Sequence, residues 1–191
     1  MNVKVQENND KVLKFSIDGI RESHANALRR AAINSVKTFA IDSITFYENT
    51  SPMFDEYIAH RIGLVPLITP SSGYRDDDEI LFTAEATGPI TVYSKDLQST
   101  DKEVRVASEG IPIIKLGTGQ RLRIECKARM GTASKHAKFQ PGLIALEPTD
   151  DNSFNFYVES FGQMPPKEII NKACDTIKER IKEVAKVAKK L

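Results

Sequence analysis

Between Asp55 and Arg61 the chain reads DEYIAHR, which gathers two carboxylates, an imidazole and a guanidinium within one short run. On a helix Glu56 would share a face with His60, and Tyr57 with Arg61, because residues four apart are neighbours there. Such a face could bind a divalent metal or move protons. A metal site from Glu56 and His60 needs a third ligand, yet EYIAH is not the H-E-x-x-H pattern and no further ligand stands at a recognisable interval. A triad of Ser51, His60 and Asp55 would need a nucleophile elbow and oxyanion donors, and neither signature is present. Ser51 instead reads as an N-cap with Pro52 in the first helical position, and Gly63 followed by Pro66 as the stop. The plain reading is a short capped helix whose charged groups tie it to its surroundings.

The remaining chemical candidates are weaker. KLGTGQ has two glycines but no helix-opening lysine, so it fails the phosphate-loop pattern and reads as a hairpin turn. The acidic run from Asp76 to Glu79 lacks calcium-loop spacing. Arg121, Arg123, Lys127 and Arg129 line one side of RLRIECKAR, a basic strand face that could meet nucleic acid, although strict alternation produces such faces in ordinary sheets. Cys126 and Cys174 belong to no C-x-x-C motif and read as small core residues in a reducing compartment.

The bulk numbers narrow the classes further. With 191 residues, 40% hydrophobic, the chain can bury a substantial core. Its formal charge of +1, from 27 basic and 26 acidic residues, supplies no global field for nucleic acid or an anionic membrane. The amino terminus lacks the apolar stretch of a signal peptide, and no segment approaches the roughly 20 apolar residues of a membrane span. A cytoplasmic protein is expected.

Two kinds of periodicity set the elements that must hold these residues. NVKVQENNDKVLKFSIDG alternates on either side of ENND, as a hairpin does. From Arg21 to about Val36 a helix is expected, with Ala25, Leu28, Ala32 and Val36 on its inner line and Asn26, Arg29 and Arg30 beside it. FAIDSITFYENT reads as a strand, and ILFTAEA, ITVY, EVRVA and RLRIECKAR as further strands, the last with Leu122, Ile124, Cys126 and Ala128 inward. SFNFYVES is another strand, with Phe154, Phe156 and Val158 on one side. From Pro165 onward the period changes, and Ile170, Cys174, Ile177, Ile181, Val184, Ala188 and Leu191 form a heptad seam. A helix of some 26 residues would be nearly 40 Å long, more than a small domain is wide, so part of that seam should meet another polypeptide. The fold class is therefore α+β, with an all-strand, mostly antiparallel middle inserted between the two chain ends: residues 1–45 and 152–191 form one module and 46–151 the other.

HANALRRAAINSVKTFAIDSITFYENTS, DEYIAHRIGLVPL, IPIIKLGTGQRLRIECKARMGTASKHAKFQP and the terminal amphipathic helix together resemble the archaeal D-type family of DNA-directed RNA polymerase subunits. That family is related to eukaryotic subunits of the same role and, more distantly, to the amino-terminal domain of the bacterial alpha subunit. NALRR is shared in kind with the bacterial form, whereas DEYIAHRIGLVPL and the HAKF loop resemble the archaeal and eukaryotic one. No appended carboxy-terminal DNA-binding domain of the bacterial kind is expected, since the chain stops with the heptad helix.

The resemblance implies that the module of the two chain ends is a dimerisation module, and it implies a role: a non-catalytic subunit in transcription. It would form a heterodimer with a small L-type subunit, and the pair would be the platform for the large catalytic subunits and small zinc-containing subunits. The L-type interface is expected at Asn26, Leu28, Arg29, Ala32, Ile170, Cys174, Ile177, Ile181, Val184 and Ala188. Arg30, Asp55, Glu56, His60 and Arg61 are expected to meet the large subunits, and DNA would be met only through the complex. No residue of this chain is expected to be catalytic or to bind a metal. Many members carry a small domain with cysteines for iron–sulfur clusters after the HAKF loop. Here that interval is QPGLIALEPTDDNS, without cysteine, and a cluster needs about four thiolates, so no cluster is expected. The competing reading is a free-standing enzyme or metal-binding protein built on Asp55, Glu56 and His60.

Overall fold

A computed structural model describes residues 1–190. The chain is of mixed α+β class, with antiparallel strands and, among the described residues, three α-helices. It divides into two compact units, Met1–Lys37 together with the chain from Thr132 onward, and Thr38–Gly131.

The first unit contains β1 (Asn2–Asn8), β2 (Val12–Asp18), α1 (Glu22–Asn34), β9 (Gly142–Asp150), β10 (Ser153–Ser160) and α3 (Pro166–Ala188). Its sheet runs β1-β2-β10-β9. Alternation puts Leu13, Phe15 and Ile17 of β2 and Phe154, Phe156 and Val158 of β10 on the inner face, all buried. Phe15 and Phe156 are cross-strand partners whose rings stack at 4.8 Å. Ala25, Leu28, Ala31 and Ala32 of α1 and Ile169 and Ala173 of α3 pack into the same core. The small side chains let α1 come close, and Arg180 of α3 donates from Nη2 to Ser35 Oγ at 3.0 Å.

β9 lies where the sequence reading has no strand. Pro148 in that run argues against one, because proline cannot donate to a ladder, but β9 is an edge strand, where proline is tolerated. Its pairing with β10 along Gly142–Asp150 puts these residues in the sheet of the chain ends, so a module boundary at residue 151 falls too late. At the other end Thr38–Ile41 pack in the second unit rather than the first.

The second unit contains β3 (Lys37–Asn49, of which Lys37 lies in the first unit), α2 (Asp55–Gly63), β4 (Glu79–Thr87), β5 (Ile90–Tyr93), β6 (Gln98–Ser99), β7 (Pro112–Leu116) and β8 (Arg121–Thr132, up to Gly131). One sheet runs β3-β8-β4-β6, and β5 pairs with β7 in a second. Leu122, Ile124, Cys126 and Ala128 of β8 face inward at 1%, 2%, 0% and 0% exposure, as alternation requires. KLGTGQ is a turn closed by Gln120 N–H to Gly117 O at 3.1 Å, but the strands it joins, β7 and β8, belong to different sheets, so it is no hairpin.

EVRVA alternates yet is not a strand. Asp101 Oδ1 accepts the N–H groups of Glu103 and Val104 at 2.7 and 2.9 Å, which curls the backbone, and only a single bridge, Leu67 to Val106, remains. The same carboxylate accepts from the Tyr74 hydroxyl at 2.9 Å, and Tyr74 packs edge-on against buried Phe39. The backbone bond from Val104, then that from Glu103, with the Tyr74 hydroxyl, hold the Asp101 carboxyl below its ordinary value. Burial, and then the bond to Asp101, push the Tyr74 phenol up to about 12.

A carboxyl whose folded pKa is depressed contributes stability that is present above its unfolded value, near 3.9, and lost as pH falls through the folded one. Asp101→Asn should therefore lower the melting midpoint by about 3 °C at pH 7, the equivalent of roughly 1 kcal/mol. At pH 2.5 the difference from the unsubstituted chain should shrink, as thermal unfolding followed by circular dichroism would report.

Candidate functional site

In the second unit the DEYIAHR run is helical, as α2, but its start differs from the capped pattern. Phe54 is the N-cap residue, with no side-chain cap bond, and Ser51 lies before the helix in a tight turn. Asn49 organises that turn. Its Oδ1 accepts from Ser51 N–H and Oγ at 3.1 and 2.7 Å, and its Nδ2 donates to Met53 O at 2.9 Å and to Asp55 Oδ1 at 2.7 Å. These bonds fix the turn and the first residue of α2, while no side chain caps the helix N–H groups. Ser51 and Asp55 are both bound to Asn49, and among the described residues neither is hydrogen-bonded to His60.

Arg61 is exposed, but its guanidinium folds back onto β7. Nε donates to Ile113 O at 2.8 Å and Nη2 to Pro112 O at 2.5 Å, so the guanidinium clamps α2 to β7. It has a fixed job within its own unit, which the expectation of a large-subunit contact did not include. Ile58 and Ile62, fully buried, seat the other side of the helix. Asp55, Glu56 and His60 are exposed. So are Phe54, at 70%, which sequence reading passed over, and Tyr57, at 64%, which it placed on a face with Arg61 without assigning it a contact. With Pro52, Met53, His60 and Arg61 they line a shallow hollow of about 550 Å³. No group of three or more His, Cys, Asp or Glu side chains placed to hold a metal occurs among the described residues.

The basic face of β8 is matched by acids. Arg129 and Lys127 both pair with Glu79, the latter at 3.7 Å, and Arg121 stands 4.0 Å from Glu48. Arg123 lies over the Tyr47 ring at 5.4 Å. The hydrogen bond from Arg129 holds the Glu79 carboxyl below its ordinary value. A phosphate backbone would have to displace these partners.

In the first unit the seam residues divide into two groups. The line of α3 that enters the core is Pro166, Ile169 and Ala173, one position away from the seam. Ile170, Cys174 and Ile177 therefore sit on the flank, partly buried against the core. Further along the helix the cover ends: Ile181 is 63% exposed, Val184 68% and Val187, which the seam omits, 62%. Ala188 is exposed as well, and Leu191 lies outside the described residues. On α1, Leu28 and Ala32 are buried in the unit's own core and present little surface to a partner. Asn26 and Arg29 are part-buried on the rim, where Arg29 Nε and Nη2 donate to Asn26 Oδ1 at 3.1 and 2.9 Å, and Arg30 is exposed. Val3 and Val5 of β1 pair with Ile17 and Phe15, so they share the inner face, yet they remain 52% and 62% exposed. The alternation of NVKV marks them in the sequence, but only the placement of the helices shows that nothing covers them.

Apolar side chains thus stay uncovered at the end of α3 and on β1 in the first unit, and at Phe54 and Tyr57 in the second. Residues 40–149 match the family model of the RNA polymerase Rpb3/RpoA insert domain. DNA-directed RNA polymerase subunit Rpo3 of Methanocaldococcus jannaschii is 45% identical over 158 residues, 83% of this chain and 81% of that protein. The subunit of the same name from Halobacterium salinarum is 34% identical over an alignment of 236 residues, 95% of each chain. With that of Pyrococcus furiosus the identity is 43% over 74% of this chain, which spans 57% of that relative. The chain belongs to the Rpo3 family of RNA polymerase subunits.

Arg61→Met should lower the stability of the chain by about 1–3 kcal/mol, because two carbonyls of β7 lose a charged donor. His60→Ala, at an exposed position, should change it by no more than about 0.5 kcal/mol. Urea unfolding of the two variants checks both values.

Proposed function

We propose that this chain is a non-catalytic assembly subunit of an archaeal DNA-directed RNA polymerase, the D-type member of that complex. It works in the cytoplasm as a heterodimer with a small L-type subunit. The pair forms the platform on which the large catalytic subunits and small zinc-containing subunits gather, and the chain meets DNA only through the complex. Although part of a nucleotidyltransferase, it supplies no catalytic residue.

The observation that carries this reading is the run of Ile181, Val184 and Val187 on the uncovered end of α3. Covering what is exposed of these three side chains would contribute roughly 4 kcal/mol. The L-type surface then consists of that stripe, its flank at Ile170, Cys174 and Ile177, the inner-face residues Val3 and Val5, and the rim of Asn26 and Arg29. Leu28 and Ala32 act behind it, as the core that fixes α1. A second surface, for the large subunits, is Asp55, Glu56, His60 and the aromatic pair Phe54 and Tyr57. Arg30, on the first unit, makes a large-subunit contact of its own. Arg61, exposed beside His60, belongs to that second surface and also fixes α2 on β7.

The chain does not fit an iron–sulfur cluster. It has two cysteines. Cys126 is fully buried, and burial followed by the neighbouring Glu125 pushes its thiol up to about 12, while burial also raises that of Cys174. The alignment of 236 residues with the Halobacterium relative, against 191 here, supports a version from which a segment is missing. The competing enzyme reading has little support, since Ser51 and Asp55 are occupied by Asn49 and no ligand set gathers around His60.

Replacing Ile181 and Val184 together by aspartate should weaken capture of the L-type subunit by about tenfold or more, some 1.4 kcal/mol. The melting midpoint of the chain itself should stay nearly unchanged, because both positions are exposed. Lys182→Ala on the same helix is the control. Undiminished capture of the L-type subunit by the doubly substituted chain would contradict the assignment.

A further inference from the structure

The wet face of the larger sheet in the second unit carries a hollow of about 760 Å³. Glu85 of β4, Arg123 and Glu125 of β8 and Tyr47 of β3 line it, and Ile90 and Asp96, from the chain that follows β4, add to the lining. Elsewhere on this face Glu79 is paired with both Arg129 and Lys127. Over the hollow the pairing fails. Glu85 stands directly across from Arg123 in the β4–β8 ladder, yet the guanidinium lies over the Tyr47 ring instead, at 5.4 Å. Glu125 accepts from the Tyr47 hydroxyl at a long 3.5 Å, and Asp96 Oδ2 accepts from Tyr93 N–H at 2.7 Å. Among the described residues none of these three carboxylates forms an ion pair.

Glu85, Glu125 and Asp96 against Arg123 alone leave the hollow with an excess of negative charge. That excess selects the occupant, since it repels a phosphate backbone and attracts cations. The carboxylates do not converge on a single ion: no group of three or more acids placed to hold a metal occurs among the described residues. Separated charges of one sign suit several cationic groups carried on one chain. Ile90, 50% exposed, and Tyr47, 58% exposed, add apolar surface to the same lining. Lysine and arginine side chains can lay their methylene stems along such surface while their charged ends reach the carboxylates.

We propose that this hollow seats a basic segment, rich in lysine or arginine, of a polymerase subunit that joins after the L-type partner. One cationic group pairs with Glu85, whose cross-strand arginine is engaged on Tyr47, and another with Glu125 or Asp96. The stems of these side chains cover Ile90 and Tyr47. Ion pairs in so open a hollow steer the encounter and fix its register more than they add affinity, and they weaken as salt rises. This rests on the chain's being a polymerase subunit, but uses neither the α3 stripe nor the α2 surface.

The test compares intact polymerase purified through this chain with the chain bound to its L-type partner alone. Carbodiimide coupling of glycine ethyl ester, read by mass spectrometry, should label Glu85 and Glu125 in the pair, and most of that label should be lost in the polymerase. Glu85→Gln with Glu125→Gln should leave the L-type complex and its melting midpoint nearly unchanged. It should lower by roughly half the salt concentration that strips the remaining subunits, and Glu85→Asp with Glu125→Asp, which keeps the charge, should restore most of the resistance. Equal labelling in a polymerase that contains the chain would overturn the basic-segment site and leave the subunit assignment standing. Loss of label with unchanged salt resistance in the glutamine variant would mean an occupant without cations and would overturn it too. So would equal loss of resistance in the two variants, or carboxylates already protected in the chain with its L-type partner. A chain that enters no polymerase at all would end both readings.

Discussion

Apolar surface on the inner side of the first unit exceeds what its own helices can hide, and the remaining features follow from that imbalance. The sheet presents inner-face residues on all four strands, but α1 and the first half of α3 pack mainly over β2, β10 and β9. Val3 and Val5 are left at one margin, and Ile181, Val184 and Val187 on the end of α3. A helix of 23 residues, about 35 Å long, is longer than its own core can seat. The excess has a physical sense only if a second polypeptide completes the layer, and membership of the Rpo3 family identifies the kind of assembly in which that happens.

The second unit solves a different problem. Its core is complete, with Phe39, Phe82, Ile58, Ile62 and Leu122 almost fully buried, so its polar side chains are free to fix loops. Asn49 holds the turn before α2, Arg61 fastens the helix to β7, and Asp101 curls the loop that receives Tyr74. Each is a single side chain that satisfies two or more groups, and Asn49 and Arg61 hold α2, on which Phe54 and Tyr57 stay exposed. Rigid support beneath an exposed aromatic pair is what a specific contact needs, since little ordering cost is then left for association.

Much of this was legible in the sequence. Alternation placed the β8 core face and the inner phenylalanines of β10, and the change of period at Pro165 placed α3. Four things were hidden, each for a physical reason. Pro148 disguised β9, because tolerance of proline depends on whether a strand is at an edge. EVRVA alternated, but the Asp101 carboxylate diverts its backbone. The seam of α3 and its buried line differ by one position, a rotation that heptad spacing cannot resolve when aliphatic residues occupy both. The clasp of Arg61 on β7 was equally unreadable, since its acceptors are carbonyls of a strand far along the chain.

The central claim is that the uncovered end of α3 belongs to an interface with a second, small subunit. Light scattering coupled to size exclusion, on this chain alone and then co-expressed with the L-type subunit of the same source, tests it most directly. The account predicts that the chain alone self-associates or aggregates and that co-expression gives a soluble one-to-one complex. A stable monomer, unchanged by the presence of that subunit, would contradict it.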